Sequence, residues 1–185
     1  MNAVHDGTRV QTCPYIYVDR DVSMARGWIQ GWPKKLGAVH TTRPFPLASP
    51  AAPLVGAGGG YGASLSANGR RLAQATVTLE RPAVDPVFLG YRPVVNVRHF
   101  PRLTAGQHDR PAVHELVRSR LSNVSRTEVW EGDATLSMFD APGEELAAVA
   151  PRQVRRGYRY SSAFEVDDLE VLVDLTQAGA AAPPA

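Results

Sequence analysis

An Asn-Gly pair between two strand-like runs is the feature that most constrains the fold of this chain. Asn68 and Gly69 follow Leu65–Ala67 and precede an alternating run that continues to Leu79. Both residues tolerate the positive φ angles of a two-residue hairpin turn, and that turn fixes the register of the flanking strands. The sequence therefore predicts an antiparallel hairpin that extends through Leu79.

Other short runs of β-branched and aromatic residues, separated by turn signals, extend the same pattern along the chain. The predicted strands are Tyr15–Val18, Val39–Arg43, Val94–Phe100, Val113–Leu121, Glu128–Trp130, Thr135–Phe139 and Val154–Phe164. A short helical turn is expected at Val22–Arg26 and is ended by Gly27, whereas Asp167–Leu175 fits either a strand or a helix. The class is therefore mainly β and antiparallel, with few short helices.

Composition limits the kind of protein rather than its function. The 185 residues, 44% hydrophobic and 21% charged, fit one globular domain. No apolar run approaches the ~20 residues that span a bilayer, and Met1–Val10 lacks the apolar centre of a signal peptide. The single cysteine, Cys13, suits a reducing compartment. We therefore expect a cytoplasmic protein, with one domain over residues 1–178 and a disordered tail over 179–185.

Neither a metal nor a nucleic-acid partner is expected. The five histidines have no spacing typical of metal ligands. The basic run over residues 152–160 alternates along a predicted strand, so its arginines divide between two faces instead of forming a track for a nucleic-acid backbone. The net charge of +2 also gives no reason to expect a polyanionic partner.

Paired lysines in the segment Gly31–Gly37 carry the functional hypothesis. Trp32 and Pro33 precede Lys34 and Lys35 in this loop. Taken alone, adjacent lysines are usually solvated surface charge. The rest of the chain, however, contains further segments in an order and spacing that belong together. They are Tyr17-Val18-Asp19, the Asn68-Gly69 hairpin with Arg71-Leu72, Ala75–Thr78, Glu115-Leu116, Glu128–Gly132 and Leu136–Asp140.

With these segments the chain resembles the acetoacetate decarboxylase family from about Pro14 to Leu175. The resemblance implies a twisted, cone-like β-barrel and a Schiff base between Lys34 and a small keto acid, without metal or organic cofactor. It also implies an auxiliary place for Glu115, a retained carboxylate that could equally make structural hydrogen bonds.

The reactivity of Lys34 can also be argued from physical chemistry. A free lysine amine has a pKa of ~10.4, so only about one in 10³ is neutral near pH 7. Burial disfavours the charged form and lowers the pKa. In an extended loop, Lys34 and Lys35 point to opposite sides. We therefore expect burial beside Trp32 and Ile16, rather than repulsion by Lys35, to keep Lys34 neutral.

A protonated imine on Lys34 is an electron sink that supports more than one reaction. It can accept the electron pair released when a β-keto acid such as acetoacetate loses CO₂. The resulting type of enamine can also attack a second carbonyl compound, which gives aldol condensation and dehydration of pyruvate-type acids. A third alternative is a binding module without catalytic activity.

Two departures from the family pattern bear on decarboxylation. The family has a substantial region before the strand at Tyr15–Val18, and that region contributes an arginine and glutamates to the active site. Only about fourteen residues precede this strand here, and the family's Gly-Arg-Glu stretch is shortened to Gly27-Trp28. From the resemblance we expect an N-terminally short domain that forms imines but releases CO₂ poorly. We also expect exposed strand edges that favour a homo-oligomer.

Overall fold

The computed structural model describes residues 1–45, 49–50, 52, 54–84 and 93–178, so the tail predicted at 179–185 lies outside the described residues. Most of the described chain is strand. The strands are β1 Asn2–His5, β2 Thr8–Gln11, β3 Ile16–Val18, β4 Lys34–Leu36, β5 Ala38–Thr41, β6 Gly60–Ala67, β7 Arg70–Pro82, β8 Val94–Phe100, β9 Val113–Arg126, β10 Trp130–Met138, β11 Gly157–Arg159 and β12 Ser162–Asp174. The helices are α1 Asp21–Ile29, a 3₁₀ helix at Leu146–Val149 and α2 Leu175–Ala178.

Two five-stranded sheets form the body of the molecule. The first has the order β1-β2-β8-β9-β12 and the second the order β11-β10-β7-β6-β5. Most neighbouring strands are antiparallel, and the sheets curl into a half-barrel, which confirms the predicted class. Two pairings depart from that rule: β2 meets β8 in parallel at Gln11 and Val94, and β3 pairs in parallel with β4.

The hairpin predicted at Asn68-Gly69 joins β6 to β7. Asn68 has φ 50° and Gly69 has φ 73°, the positive values that this turn requires. Beside the turn, Leu72 is fully buried. It belongs to a core cluster completed by Ala67, Ala141, Leu146, Tyr15, Tyr17, Leu65, Ala73 and Met138. The hairpin therefore anchors the core as well as the sheet.

Helix α1 connects β3 to β4 and differs from the sequence prediction. It continues through Gly27 to Ile29 and ends at Gln30. Gly31 follows with φ 80°, its amide donates to the Trp28 carbonyl, and the Trp32 amide donates to the Gly27 carbonyl at 2.8 Å. This pair of bonds is a Schellman motif, for which a glycine with positive φ is favoured. The stop signal is therefore Gly31, and Gly27 has another use.

Several boundaries were also predicted wrongly. A hairpin of β1 and β2 turns at Asp6 and Gly7, both with positive φ, and was not predicted. The separate strands expected at Glu128–Trp130 and Thr135–Phe139 are one strand, β10. The ambiguous segment near the C-terminus is a strand to Asp174 followed by the short α2. Within the described ranges, no helix is long and apolar enough to cross a membrane.

Candidate active site

The side chain of Lys34 lies against helix α1. Lys34 is the first residue of β4, and its partner across the parallel ladder is Ile16 of β3. Its Nζ donates hydrogen bonds to the backbone oxygen of Ser23 at 2.9 Å and to the Ser23 hydroxyl at 3.1 Å. Both acceptors are neutral oxygens. The amine is therefore held at a fixed point on the helix by two oxygens that carry no formal charge.

Gly27 provides the space that this side chain occupies. It is the buried residue of α1, and a Cβ there would lie 2.2 Å from Lys34 Cδ and 2.6 Å from Lys34 Cε. Glycine within a helix costs roughly 0.5–1 kcal/mol relative to alanine. The helix thus contains a destabilising residue at the point where the aliphatic part of Lys34 crosses it.

The pKa of Lys34 is lowered by its surroundings. Burial is the main cause, and the positive charge of Arg26 is the second. Cys13 acts in the opposite direction but is the smallest of the three causes. Burial dominates, as the sequence argument expected, but the cation that assists it is on α1 and is not the neighbouring lysine.

Lys35 points away from this site into a cluster of acidic groups. Its Nζ lies 3.1 Å from Glu144 Oε2 and 2.9 Å from Glu145 Oε2. The Tyr17 hydroxyl also donates to Glu144 Oε2, at 2.6 Å. These carboxylates raise the pKa of Lys35, whereas burial, followed by Glu144, raises the pKa of Tyr17 to about 12. Lys35 is thus held protonated, and a protonated amine is not a nucleophile.

Lys34 opens into a cavity of about 860 Å³ between α1 and the start of β12. Two cations line it, Arg20 and Arg26, together with Asp19, Asp21 and Gln30. Among the described residues, the hydrogen bond of the Arg26 guanidinium goes to the backbone oxygen of Val166, at the long distance of 3.4 Å. An amine with a lowered pKa and two guanidinium groups share this cavity with two carboxylates. A guanidinium is suited to binding the carboxylate of a small molecule.

The structure places the predicted auxiliary residues unequally around Lys34. Ile16 is its register partner, and side chains of such partners in a parallel pair lie on the same face. Trp32 contacts Lys34 through the backbone, since the Lys34 amide donates to the Trp32 carbonyl at 2.8 Å. Trp32 lines a different cavity, with Trp28 and Cys13. The aliphatic part of Lys34 lies against Gly27 of α1, and the role of Trp32 as an apolar wall stays a prediction.

Glu115 is not in the Lys34 cavity. Its carboxylate lies 2.8 Å from Arg98 Nη1, and Arg98 Nε donates to the Ile29 carbonyl at 2.8 Å. This chain of contacts satisfies a carbonyl at the end of α1 and fixes the helix on the first sheet. Of the two readings left open by the sequence, the geometry favours the structural one.

Sequence reasoning missed the residues that α1 contributes. Ser23, Arg26, Gly27 and Gln30 are spaced at i, i+3, i+4 and i+7, which places them on one face of a helix. That signal is readable, but ending the helix at Gly27 hid it. Among the described residues, no group of three or more His, Cys, Asp and Glu side chains could hold a metal ion.

Comparisons with known proteins concern the fold and the family of the chain. A family model described as acetoacetate decarboxylase (ADC) matches residues 1–175. The enduracididine biosynthesis enzyme MppR, solved in complex with pyruvate, is 32% identical with a TM-score of 0.82; the match covers 95% of this chain and 65% of MppR. An acetoacetate decarboxylase-like enzyme from Sphingomonas wittichii RW1 is 28% identical with a TM-score of 0.82, covering 94% and 66%.

More distant matches establish the fold alone. An acetoacetate decarboxylase from Legionella pneumophila is 16% identical with a TM-score of 0.75, and the match covers 94% of this chain and 64% of that one. No curated protein is detectably similar in sequence. The chain spans between 62% and 66% of the length of the first matching structures. On the match of the family model over nearly all of its length, the chain belongs to the acetoacetate decarboxylase family.

Proposed function

We propose that this chain is a Schiff-base lysine enzyme for small keto acids, with Lys34 as the nucleophile. One observation carries the proposal: an amine with a lowered pKa, which donates to two oxygens of Ser23, shares a cavity with Arg26. A neutral amine is required for attack on a keto carbon, and a cation is required to hold the acid group.

Arg26 has two roles in the proposed reaction. Its charge helps to keep Lys34 neutral, and its guanidinium presents a planar set of donors that matches a carboxylate. Arg20 lines the same cavity and supplies a second positive charge. Holding the acid group at a fixed distance from Nζ converts the attack into an intramolecular step, which lowers its barrier.

The covalent step uses only Lys34 and the keto acid. Nζ attacks the keto carbon, and the keto oxygen leaves as water after it has gained protons, which gives an imine. The protonated imine draws electrons from the adjacent carbon, and loss of a proton there gives an enamine. Ser23 holds the amine before attack through its backbone and hydroxyl oxygens.

Pyruvate-type acids are the favoured substrates. MppR, at 32% identity, is solved in complex with pyruvate and with the condensation product of pyruvate and imidazole 4-carboxaldehyde. The acetoacetate decarboxylases among the matching structures are 16% and 20% identical, which supports the fold and not their substrate. Condensation through a pyruvate enamine is therefore placed first, and decarboxylation of a β-keto acid such as acetoacetate is the second candidate, supported by the family.

The test is exchange of the methyl hydrogens of pyruvate in D₂O, followed by proton NMR. An enamine forms by losing one of these hydrogens, so exchange reports it without a second substrate. We expect exchange with the wild-type chain and with Lys35→Gln, and only the uncatalysed rate with Lys34→Ala. Exchange that survives in Lys34→Ala overturns the proposal. Release of CO₂ from acetoacetate is measured with the same chains. Its rate, compared with the exchange rate of pyruvate, shows which of the two candidate reactions the protein favours.

A further inference from the structure

A cavity on the second sheet has no part in the reaction described above. It has a volume of about 610 Å³, and none of the described residues that line it also lines the cavity of Lys34. We call it the sheet cavity and define it by Arg43, Tyr61, Ala75, Leu136 and Arg159. Its size is within the range of small-molecule sites.

The floor of the sheet cavity is apolar and open to solvent. Two rows of register partners on one face of β6, β7 and β10 form it, namely Tyr61-Val77-Ala134 and Ala63-Ala75-Leu136. The next row on the same face packs against the core cluster and consists of Leu65, Ala73 and Met138. Leu136, in contrast, is 37% exposed. The apolar face of the sheet therefore continues past the core to a place that a ligand can reach.

Arg159 lies over one end of this floor. Its guanidinium carbon is 5.3 Å from the centroid of the Tyr61 ring, a distance typical of a cation–π contact. In the described part of the chain, the hydrogen bond of this guanidinium goes to the Ser161 hydroxyl at 3.5 Å, longer than an ordinary hydrogen bond. Arginine that stacks on a ring keeps its N–H donors for other acceptors. Arg159 can therefore donate to an anion in the cavity.

Arg43 brings a second positive charge to the same end. It follows Thr42, whose amide donates to the Gly62 carbonyl at 2.8 Å. This bond continues the pairing of β5 with β6, so Arg43 comes beside Tyr61, the residue that Arg159 covers. Two guanidinium groups thus line the cavity near one tyrosine ring.

The positive charge of the sheet cavity is not compensated. Among the described residues, no Asp or Glu lines the cavity, and neither Arg43 nor Arg159 forms an ion pair. A third lining arginine, Arg156, differs because it is paired with Glu80 and Asp133. A cleft lined by charges of one sign concentrates ligands of the opposite sign. The cavity therefore favours an anion.

We propose that the sheet cavity binds an amphipathic organic anion, a carboxylate or sulfonate with an apolar body. Its charged group lies between Arg43 and Arg159, whose N–H donors suit planar or multidentate oxygen acceptors. Its apolar body covers the floor and removes side chains such as Leu136 from water. The site is separate from Lys34 and does not rest on the proposed function.

The fluorescent probe 8-anilinonaphthalene-1-sulfonate has both parts of the proposed ligand and brightens in apolar surroundings. Its neutral counterpart, N-phenyl-1-naphthylamine, lacks only the sulfonate. Both are titrated into the whole chain, and the fluorescence gives Kd for each. We expect saturable binding of the sulfonate at one site per chain. Fluorescence that rises without saturation overturns the proposal.

A matched pair of arginine variants tests the recognition of charge. Arg159→Gln should raise the Kd of the sulfonate by on the order of tenfold, the loss of a hydrogen bond between charged groups. The Kd of the neutral probe should not change. Arg20→Gln removes the same charge from the cavity of Lys34 and should leave both values in place. The proposal fails if the two variants weaken the sulfonate equally, or if Arg159→Gln weakens both probes equally.

A second pair of variants locates the apolar body. Ala63 is in the floor, and Ser64, the next residue of β6, faces the other side of the sheet. Ala63→Glu places a carboxylate in the cavity and should raise the Kd of the sulfonate roughly tenfold or more, because like charges repel. Ser64→Glu should have a clearly smaller effect. Equal effects of the two variants contradict the proposed site. Circular dichroism checks that all four variants are folded.

Discussion

Lys34 and Gly27 form a pair at the scale of single residues. The lysine crosses the helix where the glycine lies, and the missing Cβ leaves space for its aliphatic carbons. The helix loses some stability at that position, and the chain gains a lysine side chain held against α1. A glycine that looks like a helix stop in the sequence is therefore part of the site.

Gly27→Ala should displace Lys34 and slow imine formation. The new Cβ would lie 2.2 Å from Lys34 Cδ, so the flexible lysine must move away from Ser23. We expect a rate lower by on the order of tenfold or more, since misplacement by about 1 Å can cost ~10²-fold. Gly60→Ala is the matched control, because no atom lies within 4 Å of its new Cβ. Similar rates of imine formation for both variants would contradict the proposed dependence of Lys34 on Gly27.

Arg26 should control the pH dependence of imine formation. Its charge lowers the pKa of Lys34, so Arg26→Gln should raise that pKa. A smaller fraction of Lys34 is then neutral near pH 7, and the curve of rate against pH moves to higher pH. The rate is measured with saturating pyruvate between pH 6 and about pH 10, the range below the ordinary lysine value.

Two controls accompany Arg26→Gln. Arg20→Gln also removes a cation from the cavity, but Arg20 is not among the causes of the lowered pKa of Lys34. It should raise KM for pyruvate and leave the curve in place. Trp32→Gln should also leave the curve in place, because Trp32 lines a cavity other than that of Lys34 and is not among the causes of the lowered pKa of Lys34. A curve that moves with Trp32→Gln would restore the wall predicted from the sequence.

Residue-scale prediction succeeded where backbone geometry decides and failed where packing decides. The opposed directions of Lys34 and Lys35 follow from an extended backbone, and their contacts agree. The position of the Trp32 ring depends on the Schellman end of α1, which the sequence analysis placed four residues too early. Glu115 could not be assigned from sequence, because its partner Arg98 lies on the neighbouring strand.

At the scale of elements, Lys35 ties β4 to the segment before the 3₁₀ helix. Glu144 Oε2 accepts hydrogen bonds from Lys35 Nζ at 3.1 Å and from the Tyr17 hydroxyl at 2.6 Å. The Glu144 side chain is 9% exposed. Asn68 of the hairpin turn also donates to it, at 3.4 Å. One carboxylate thus joins β3, β4 and the turn between β6 and β7.

Glu144→Gln should destabilise the fold at neutral pH by about 1–3 kcal/mol, the loss of hydrogen bonds to a charged group. Hydrogen bonds from Tyr17 and Lys35 lower the pKa of Glu144 below its ordinary value of 4.5. The contribution of the carboxylate is therefore present above pH 4.5 and is lost as the pH falls through the lowered value. Urea unfolding of both chains should show the difference shrinking on acidification. A difference that grows in acid contradicts this sign.

In the described part of the chain, the same turn chemistry joins β1 to β2 and β6 to β7, and the sequence predicted the second of these hairpins. Asn68-Gly69 predicted β6 and β7 correctly, because alternating residues flank it on both sides. Asp6-Gly7 makes an equivalent turn, but β1 and β2 have four residues each, too few to show a period. The parallel pairing of β3 with β4 was missed for a different reason. Each strand contributes three residues to the pairing, and helix α1 separates the two strands along the chain.

At the scale of the whole molecule, exposed edges point to self-association. Strand β12 pairs with β9 along one side and is an outer strand of the first sheet. Phe164, Val171 and Val173 on it are 55%, 48% and 36% exposed. A long outer strand with apolar side chains is a surface on which another chain can pair.

Size-exclusion chromatography with light scattering should therefore give a mass that is a multiple of 20.0 kDa. Phe164→Lys, which places a charge on the outer strand, should lower that mass or raise the concentration at which association occurs. Val124→Lys changes a residue of comparable exposure on β9 and is the control. A wild-type chain that stays monomeric at high concentration contradicts the prediction.

The class of the fold could be predicted, but the relation between its sheets could not. Strand-like runs and turns give a mainly antiparallel protein, and the family resemblance adds the curl. Which strands become neighbours across long sequence separations, as β7 with β10 and β8 with β9, depends on burial that no local pattern records.

The most direct test of the central claim is the position of a trapped imine. The chain is incubated with pyruvate, and separately with acetoacetate, then reduced with borohydride and digested for peptide mass mapping. We predict one adduct, on Lys34, because its amine has a lowered pKa while carboxylates hold Lys35 protonated. An adduct on Lys35, or label spread over several lysines, would contradict the account.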